Sequence, residues 1–201
     1  MPRDGSLTRA RILDAAEKLV EQNGFAATSV DQIVEASRSS KGAFFHHFAS
    51  KRELAHTLVS RYVDADLTML DEGLAAAAGV EDPVGKVLAF LHYYEDWAES
   101  LVADDSSCLY IALLAERELL DATTSAEMER AMKGWREEFA ALLSPALAST
   151  ALSIPLDVDE LADHLFATFE GAFLMCRCLD SSEPMRTQLR VFRGLLENLL
   201  S

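Results

Sequence analysis

Between Thr28 and Lys51 the chain carries a dense set of groups suited to an anionic partner. Hydroxyls stand at Thr28, Ser29, Ser39 and Ser40, cations at Arg38, Lys41 and Lys51, and imidazoles at His46 and His47. Between them lie Gly42 and Ala43, small enough to let a partner approach the backbone, and the aromatic Phe45. Hydroxyl, guanidinium, ammonium and imidazole groups are those that reach phosphate oxygens and the edges of bases. The same residues could decorate a packing hairpin with no ligand, and residue chemistry alone leaves both readings open.

Other reactive groups do not assemble into a site. Cys176 and Cys178 are two apart, so on a helix they point in different directions, and with His164 nearby they still lack the four ligands of a metal centre. His46 and His47 are adjacent and do not easily share one metal, so phosphate contact is the better reading of them. Cys108 follows a polar break and opens an apolar stretch, so it is either a redox-sensing thiol or a structural one. Glu116 and Glu118 fit a solvated face better than a ligand-pairing carboxylate. No Ser/His/Asp order, phosphate loop or carboxylate pair stands out, and no enzyme, cofactor or metal is expected.

The elements that must position the first group of residues are legible. Thr28 or Ser29 can cap a helix, Asp31 suits its first turn, and Val30, Ile33, Val34 and Ser37 follow helical spacing. Arg38, Ser39 and Ser40 break that pattern and read as a turn with a cap. A second helix, from about Ser40 to His47, puts Phe44 and Phe48 on one face and leaves Ser40, Lys41, Ala43 and His47 outside. Ser50 to Glu53 is a capping box that opens a long third helix. Two short helices joined by a tight turn, about residues 29–48, make a helix-turn-helix, whose second helix lies in the DNA major groove.

Residues 8–54 resemble the N-terminal domain of the TetR family of transcriptional regulators. Thr8-Arg9, Ile12-Leu13, Ala15-Ala16, Leu19 and Gly24-Phe25 are similar to its first helix and the turn that follows. Thr28, Val30, Ile33, Ser40-Lys41-Gly42-Ala43, Phe45-His46-His47-Phe48, Lys51 and Leu54 match its recognition segment in order and spacing. The resemblance implies DNA binding through these positions, a homodimer and a small-molecule effector. The chain departs from the family at Arg38-Ser39, where Gly then Val is usual, and at Phe45, where Tyr is usual. Arg38 or His46 would then supply the phosphate contact that the missing hydroxyl makes.

At 201 residues the chain suits a DNA-binding domain over residues 1–52 and a larger domain over 53–201. Half the residues are hydrophobic and no alternating run is sustained, so the fold class is all-α: an N-terminal three-helix DNA-binding domain and a helical ligand-binding and dimerisation domain. The net charge is −15, yet residues 1–52 carry +2 and the remainder −17. Exposed charges are largely screened beyond about 8 Å at physiological salt, so an acidic body held away from DNA costs little. No apolar run reaches the roughly 20 residues that span a membrane, the N-terminus is no signal peptide, and the cysteine count is odd. A reducing cytoplasm fits all three.

Helical stripes organise the second domain. Helices are expected from Ser50 to about Leu74, from Asp82-Pro83, over Cys108 to Leu120, from a capping box at Thr124 to Glu127, from Asp157 to about Leu179, and from Pro184. Tyr94, Trp97, Cys108, Trp135, Phe139, Phe169 and Phe173 are the candidates to line an effector cavity, although a Met and aromatic stripe also suits a plain core. The last two helices are apolar on two sides, which suggests a two-fold four-helix bundle between subunits. Leu165, Thr168, Ala172 and Met175 are assigned to that interface with Leu189, Phe192 and Leu196, and the Phe169/Phe173 stripe to the subunit's own core. The expected function is a cytoplasmic, homodimeric regulator, most simply a repressor. It would leave a palindromic DNA operator when a small, partly apolar molecule binds. Two rivals are a thiol redox regulator using Cys108 and an all-α enzyme or carrier with a vestigial DNA module.

Overall fold

The computed structural model describes residues 5–102, 121–150 and 155–201. Eight helices and no strand occur among them. They are α1 (Gly5–Asn23), α2 (Val30–Ala36), α3 (Lys41–His47), α4 (Lys51–Ala77), α5 (Pro83–Leu101), α6 (Ala122–Ala148), α7 (Val158–Leu179) and α8 (Glu183–Leu199). The all-α expectation holds. The stretch from Cys108 to Leu120, with Cys108, Glu116 and Glu118, lies outside the described residues.

The chain divides into two units, one with residues up to Tyr62 and the start of α6 to Met128, the other with the remainder of α4 and α6, and α5, α7 and α8. The first unit therefore runs about ten residues beyond the expected boundary at 52. Leu54, Ala55, Leu58 and Val59 on the opening turns of α4 are buried, and Arg61 pairs with Asp14 and Glu17 of α1. Those turns are held in the first unit by burial and by the Arg61 ion pairs.

Within the first unit, α1 buries Ile12, Leu13, Ala16 and Val20, α2 buries Ile33 and α3 buries Phe44. Ser29 caps α2 through a reciprocal box: its hydroxyl accepts from the Gln32 N–H, and its own N–H donates to the Gln32 side chain. Ser40 caps α3 by accepting from the Ala43 N–H at 3.1 Å. Asp121 caps α6 by accepting from the Thr124 N–H at 3.0 Å. Thr124, expected as the cap itself, instead sits buried in the first turn, because the carboxylate three residues upstream is the better acceptor for its N–H.

In the second unit α8 packs against α5 and α7. Its core includes Phe90, Leu91 and Tyr94 of α5, Trp135, Phe139 and Leu143 of α6, Leu165, Phe169 and Ala172 of α7, and Leu189, Phe192 and Leu196 of α8. Close approach of α4 and α5 requires Gly73, where a Cβ would run into the Tyr94 ring. The Tyr94 hydroxyl donates to the Met69 carbonyl at 2.9 Å, and burial pushes its phenol well above the ordinary range. Asp157 caps α7, and Asp180 ends it in a left-handed conformation.

Candidate nucleic-acid interface

Helix α3 is seated by its aromatic face. Phe44 and Phe48 are buried, so the remaining positions are turned away from the unit's core. Phe45 keeps 53% of its surface exposed, which leaves its ring open to a thymine methyl or a sugar. His46 is exposed, whereas His47 is half-buried between the Phe48 ring and the backbone at Gly5. Gly42 is exposed, and a Cβ placed there would meet nothing closer than the Ser40 hydroxyl at 3.9 Å. Nothing in the described residues requires glycine at this helical position, although glycine weakens a helix relative to alanine. Ala43 is half-buried beside it.

The turn before α3 is held from within. The Ser37 N–H donates to Ile33, the Arg38 N–H to Glu35 and the Ser39 N–H to Val34, and the Ser37 and Ser39 hydroxyls share a hydrogen bond at 2.9 Å. Ser39 is thereby committed to the turn. Arg38 adopts φ 51°, the left-handed region that an L side chain enters at a cost. Its side chain lines an open groove of about 350 Å³ with Arg11, Asp14, Lys18 and Ser37.

Two of the expected contacts have other duties. Thr28 is fully buried, and its hydroxyl, a single donor, lies within reach of the Gly24 carbonyl at 2.8 Å and the Leu19 carbonyl at 3.1 Å. It fixes the turn after α1 and is not free for a phosphate, a correction to the expected contact set. Lys51 donates to the Phe25 carbonyl at 2.5 Å and so ties the start of α4 to that turn. Arg52 and His56, one and two turns along α4, converge on Asp121. Oδ2 accepts from Arg52 Nε at 3.0 Å and lies 2.9 Å from His56 Nε2. The Thr124 N–H bond, then Arg52 and His56, hold the Asp121 carboxyl well below the usual carboxylate range. None of Gln32, Phe25, Arg52, His56 or Asp121 was expected. Only the Ser29-x-x-Gln32 spacing carried a sequence signal.

The aromatic candidates of the second unit do converge. Tyr94 lies 5.3 Å from Phe169 and 5.6 Å from Trp135, and Trp135 lies 5.4 Å from Phe169. Phe90, one helical turn before Tyr94, stacks on Phe139 at 5.3 Å and was legible from that spacing. The Trp135 indole N–H donates to Asp66 at 3.1 Å. Trp97 is not in this cluster: it is exposed and stacks on Tyr93. Phe173 is half-buried at the core's margin. A separate groove of about 310 Å³ is lined by Leu74, Pro83, Lys86, Leu142 and Pro145, none of them expected.

The residues assigned to an interface on α7 and α8 lie mostly inside the single chain. Leu165, Ala172, Leu189, Phe192 and Leu196 are all buried within one chain, on the same side as Phe169. Thr168 is half-buried and bonds the His164 carbonyl, and only Met175 of the expected set is exposed. The apolar side chains left outside are Leu174, Met175 and Leu179 on α7, and Val191 and Leu195 on α8. The buried face of α7 takes residues from both expected stripes, and small size at Ala172 reflects tight packing inside the subunit. Cys176 is buried and Cys178 exposed, so these two thiols diverge, and His164 lies against the Phe192 ring.

Comparison with known proteins decides the family. The profile of bacterial regulatory proteins, tetR family, matches residues 12–58, and that of the tetracyclin repressor-like C-terminal domain matches residues 83–192. This chain belongs to the TetR family. It is 26% identical over 189 residues to the transcriptional regulator AcuR of Cereibacter sphaeroides, covering 94% of this chain and 85% of that one. It is 24% identical to the transcriptional repressor DhaR of Mycobacterium sp. (strain GP1), covering 94% and 92%. The fold is that of the TetR regulatory protein from Rhodobacter sphaeroides (TM-score 0.76, 24% identity, 94% and 98% covered). It is also that of reduced NemR from E. coli (TM-score 0.72, 23% identity, 96% of each chain). The chain is thus a TetR-family transcriptional regulator with a DNA-binding domain. Among the described residues no helix is long and apolar enough to cross a membrane. Its departures from the TetR pattern now have a local setting: Arg38 occupies a left-handed position that glycine would fill without strain, and Phe45 presents a bare ring outward.

Proposed function

We propose that this regulator binds a two-fold-symmetric DNA operator as a homodimer and represses transcription until a small, partly apolar effector releases it. The observation that carries the DNA part is the outward face of α3: exposed Phe45 and His46 beside an open Gly42, on a helix anchored by Phe44 and Phe48. Arg38, Lys41 and Ser40 stand at its approach. The likeness to a repressor, DhaR, supports repression. The dimer is supported by the apolar face of Leu174, Met175, Leu179, Val191 and Leu195, which a second copy would cover.

An effector among Phe90, Tyr94, Trp135 and Phe169 must part rings that touch one another, so bound and free forms differ in packing. The Tyr94 hydroxyl bonds α4 at Met69, and α4 continues to Lys51, so a shift at the rings reaches the helix beside the DNA-reading unit. The effector must favour the released form by a few kcal/mol to empty the operator. The cytoplasm is the compartment in which DNA and such an effector meet. Selection from random duplexes tests the reading. It should enrich a palindrome with half-sites spaced for successive major grooves. Enrichment of no common sequence would overturn it.

A further inference from the structure

Three cations flank the helix-turn-helix in three different states. Arg38 stands exposed with no carboxylate partner among the described residues. Lys51 is bonded to the Phe25 carbonyl. Lys41, the first residue of α3, pairs with Asp31 of α2 at 2.7 Å, and both side chains are largely exposed, 64% and 69%. The pair is not needed to form either helix. The N-terminus of α2 is closed by Ser29 and Gln32, and that of α3 by Ser40. Neither side chain contributes to the core.

The carboxylate of Asp31 thus gives the Lys41 ammonium an oxyanion partner within the protein, the same kind of group that a DNA phosphate would offer it. We infer that Asp31 is a specificity-determining residue, an internal competitor that withholds Lys41 from the backbone of unrelated DNA. It yields Lys41 when the remainder of α3 is seated. Non-specific affinity is essentially phosphate electrostatics, so each cation withheld lowers it. On a cognate site the base contacts hold a phosphate beside Lys41, and exchange of one oxyanion for the other becomes favourable. The inference rests on the DNA-binding reading above.

The test is fluorescence anisotropy of the full-length protein with a labelled duplex of arbitrary sequence, over a salt series. Asp31→Asn should bind roughly two- to fivefold tighter per recognition helix, the span expected from opening one exposed ion pair. Its salt dependence should steepen by about one unit. In a Lys41→Ala background the same Asp31→Asn change should give less than half of that tightening and no steeper slope. Equal gains in both backgrounds would mean that Asp31 merely repels DNA, and would overturn the inference, as would no gain in either. Asp31→Ser, which keeps a first-turn hydroxyl on α2, carries the same measurement if Asn perturbs the fold. A wild type that binds no duplex even at low salt has a different signature: every variant then fails, and the DNA-binding reading falls together with the inference.

Discussion

Lys51 donates from Nζ to the Phe25 carbonyl at 2.5 Å, and the same ammonium stands 4.1 Å from the centre of the Phe25 ring. The sequence suggests a phosphate contact at Lys51, and the geometry makes it first a lock between the start of α4 and the turn after α1. A charged hydrogen bond and a cation–π contact, both partly sheltered, together contribute about 1–2 kcal/mol. Lys51→Ala should therefore lower the urea midpoint by a corresponding amount. Operator affinity should fall with it, because α2 and α3 hang from that turn. Unchanged stability with a salt slope reduced by about one unit would return Lys51 to the role of a plain phosphate contact.

Gly42 separates folding from function. A methyl group there meets only the Ser40 hydroxyl, at an ordinary 3.9 Å, and alanine is the better helix former, so Gly42→Ala should stabilise the fold by about 0.5 kcal/mol. The same methyl group would stand on the outward face of α3. DNA affinity should drop roughly tenfold if the backbone approaches the duplex at this point, the scale on which one lost close contact counts. Thermal melts and anisotropy on one preparation read both numbers. A variant that gains stability and keeps its affinity would move the DNA away from this part of α3.

What the sequence revealed and what it hid divide along physical lines. Apolar spacing and caps located the described helices after α1, because both are local properties, and they put Phe44 and Phe48 on one face of α3; α1 was legible only through the family resemblance. Spacing divided the apolar positions of α7 into two stripes, whereas the buried face takes Leu165 and Ala172 from one and Ala162, Phe169 and Cys176 from the other, and leaves Leu174, Met175 and Leu179 exposed. Polar residues misled where two caps competed, as at Asp121 and Thr124. They misled again where a hydroxyl suited to phosphate was already spent, as at Thr28. The ion pairs Lys41–Asp31 and Arg52–Asp121 join residues that no local spacing relates.

Asp121 gives a prediction about acid. Its folded carboxyl is held below the ordinary value of 3.8 by the Thr124 N–H, Arg52 and His56. An ionised carboxylate only accepts, so His56 Nε2 carries the proton in that bond. For a depressed carboxylate the stabilisation is fully present above the ordinary value and is lost as pH falls through the folded one. Asp121→Asn should then melt below wild type from pH 5 to 8, and the two curves should converge only in strong acid. Coincident melting curves from pH 5 to 8 would show that the ionised Asp121 carboxylate contributes nothing to the fold.

The apolar face of α7 and α8 yields the last prediction, and two substitutions separate it from the assignment that small residues suggest. Leu179 and Leu195 remain 63% and 62% exposed in the single chain, and Leu174, Met175 and Val191 lie exposed on the same two helices. Ala172, by contrast, has no exposed surface. Two-fold symmetry uses each interface residue twice, so Leu195→Arg removes two buried leucines and brings in two cations. With about 1.5–3 kcal/mol for each apolar side chain, the dimer should weaken at least a hundredfold. Light scattering should find folded monomers with a helical circular dichroism spectrum, and operator binding should collapse, because one half-site alone is weak. Ala172→Arg should instead place an unpaired cation in the subunit's own core and unfold or aggregate the chain. If Leu195→Arg remains a dimer while Ala172→Arg gives a folded monomer, the covered face is not the one left exposed here. Leu165 and Ala172 would then have to reach a partner through a rearranged core.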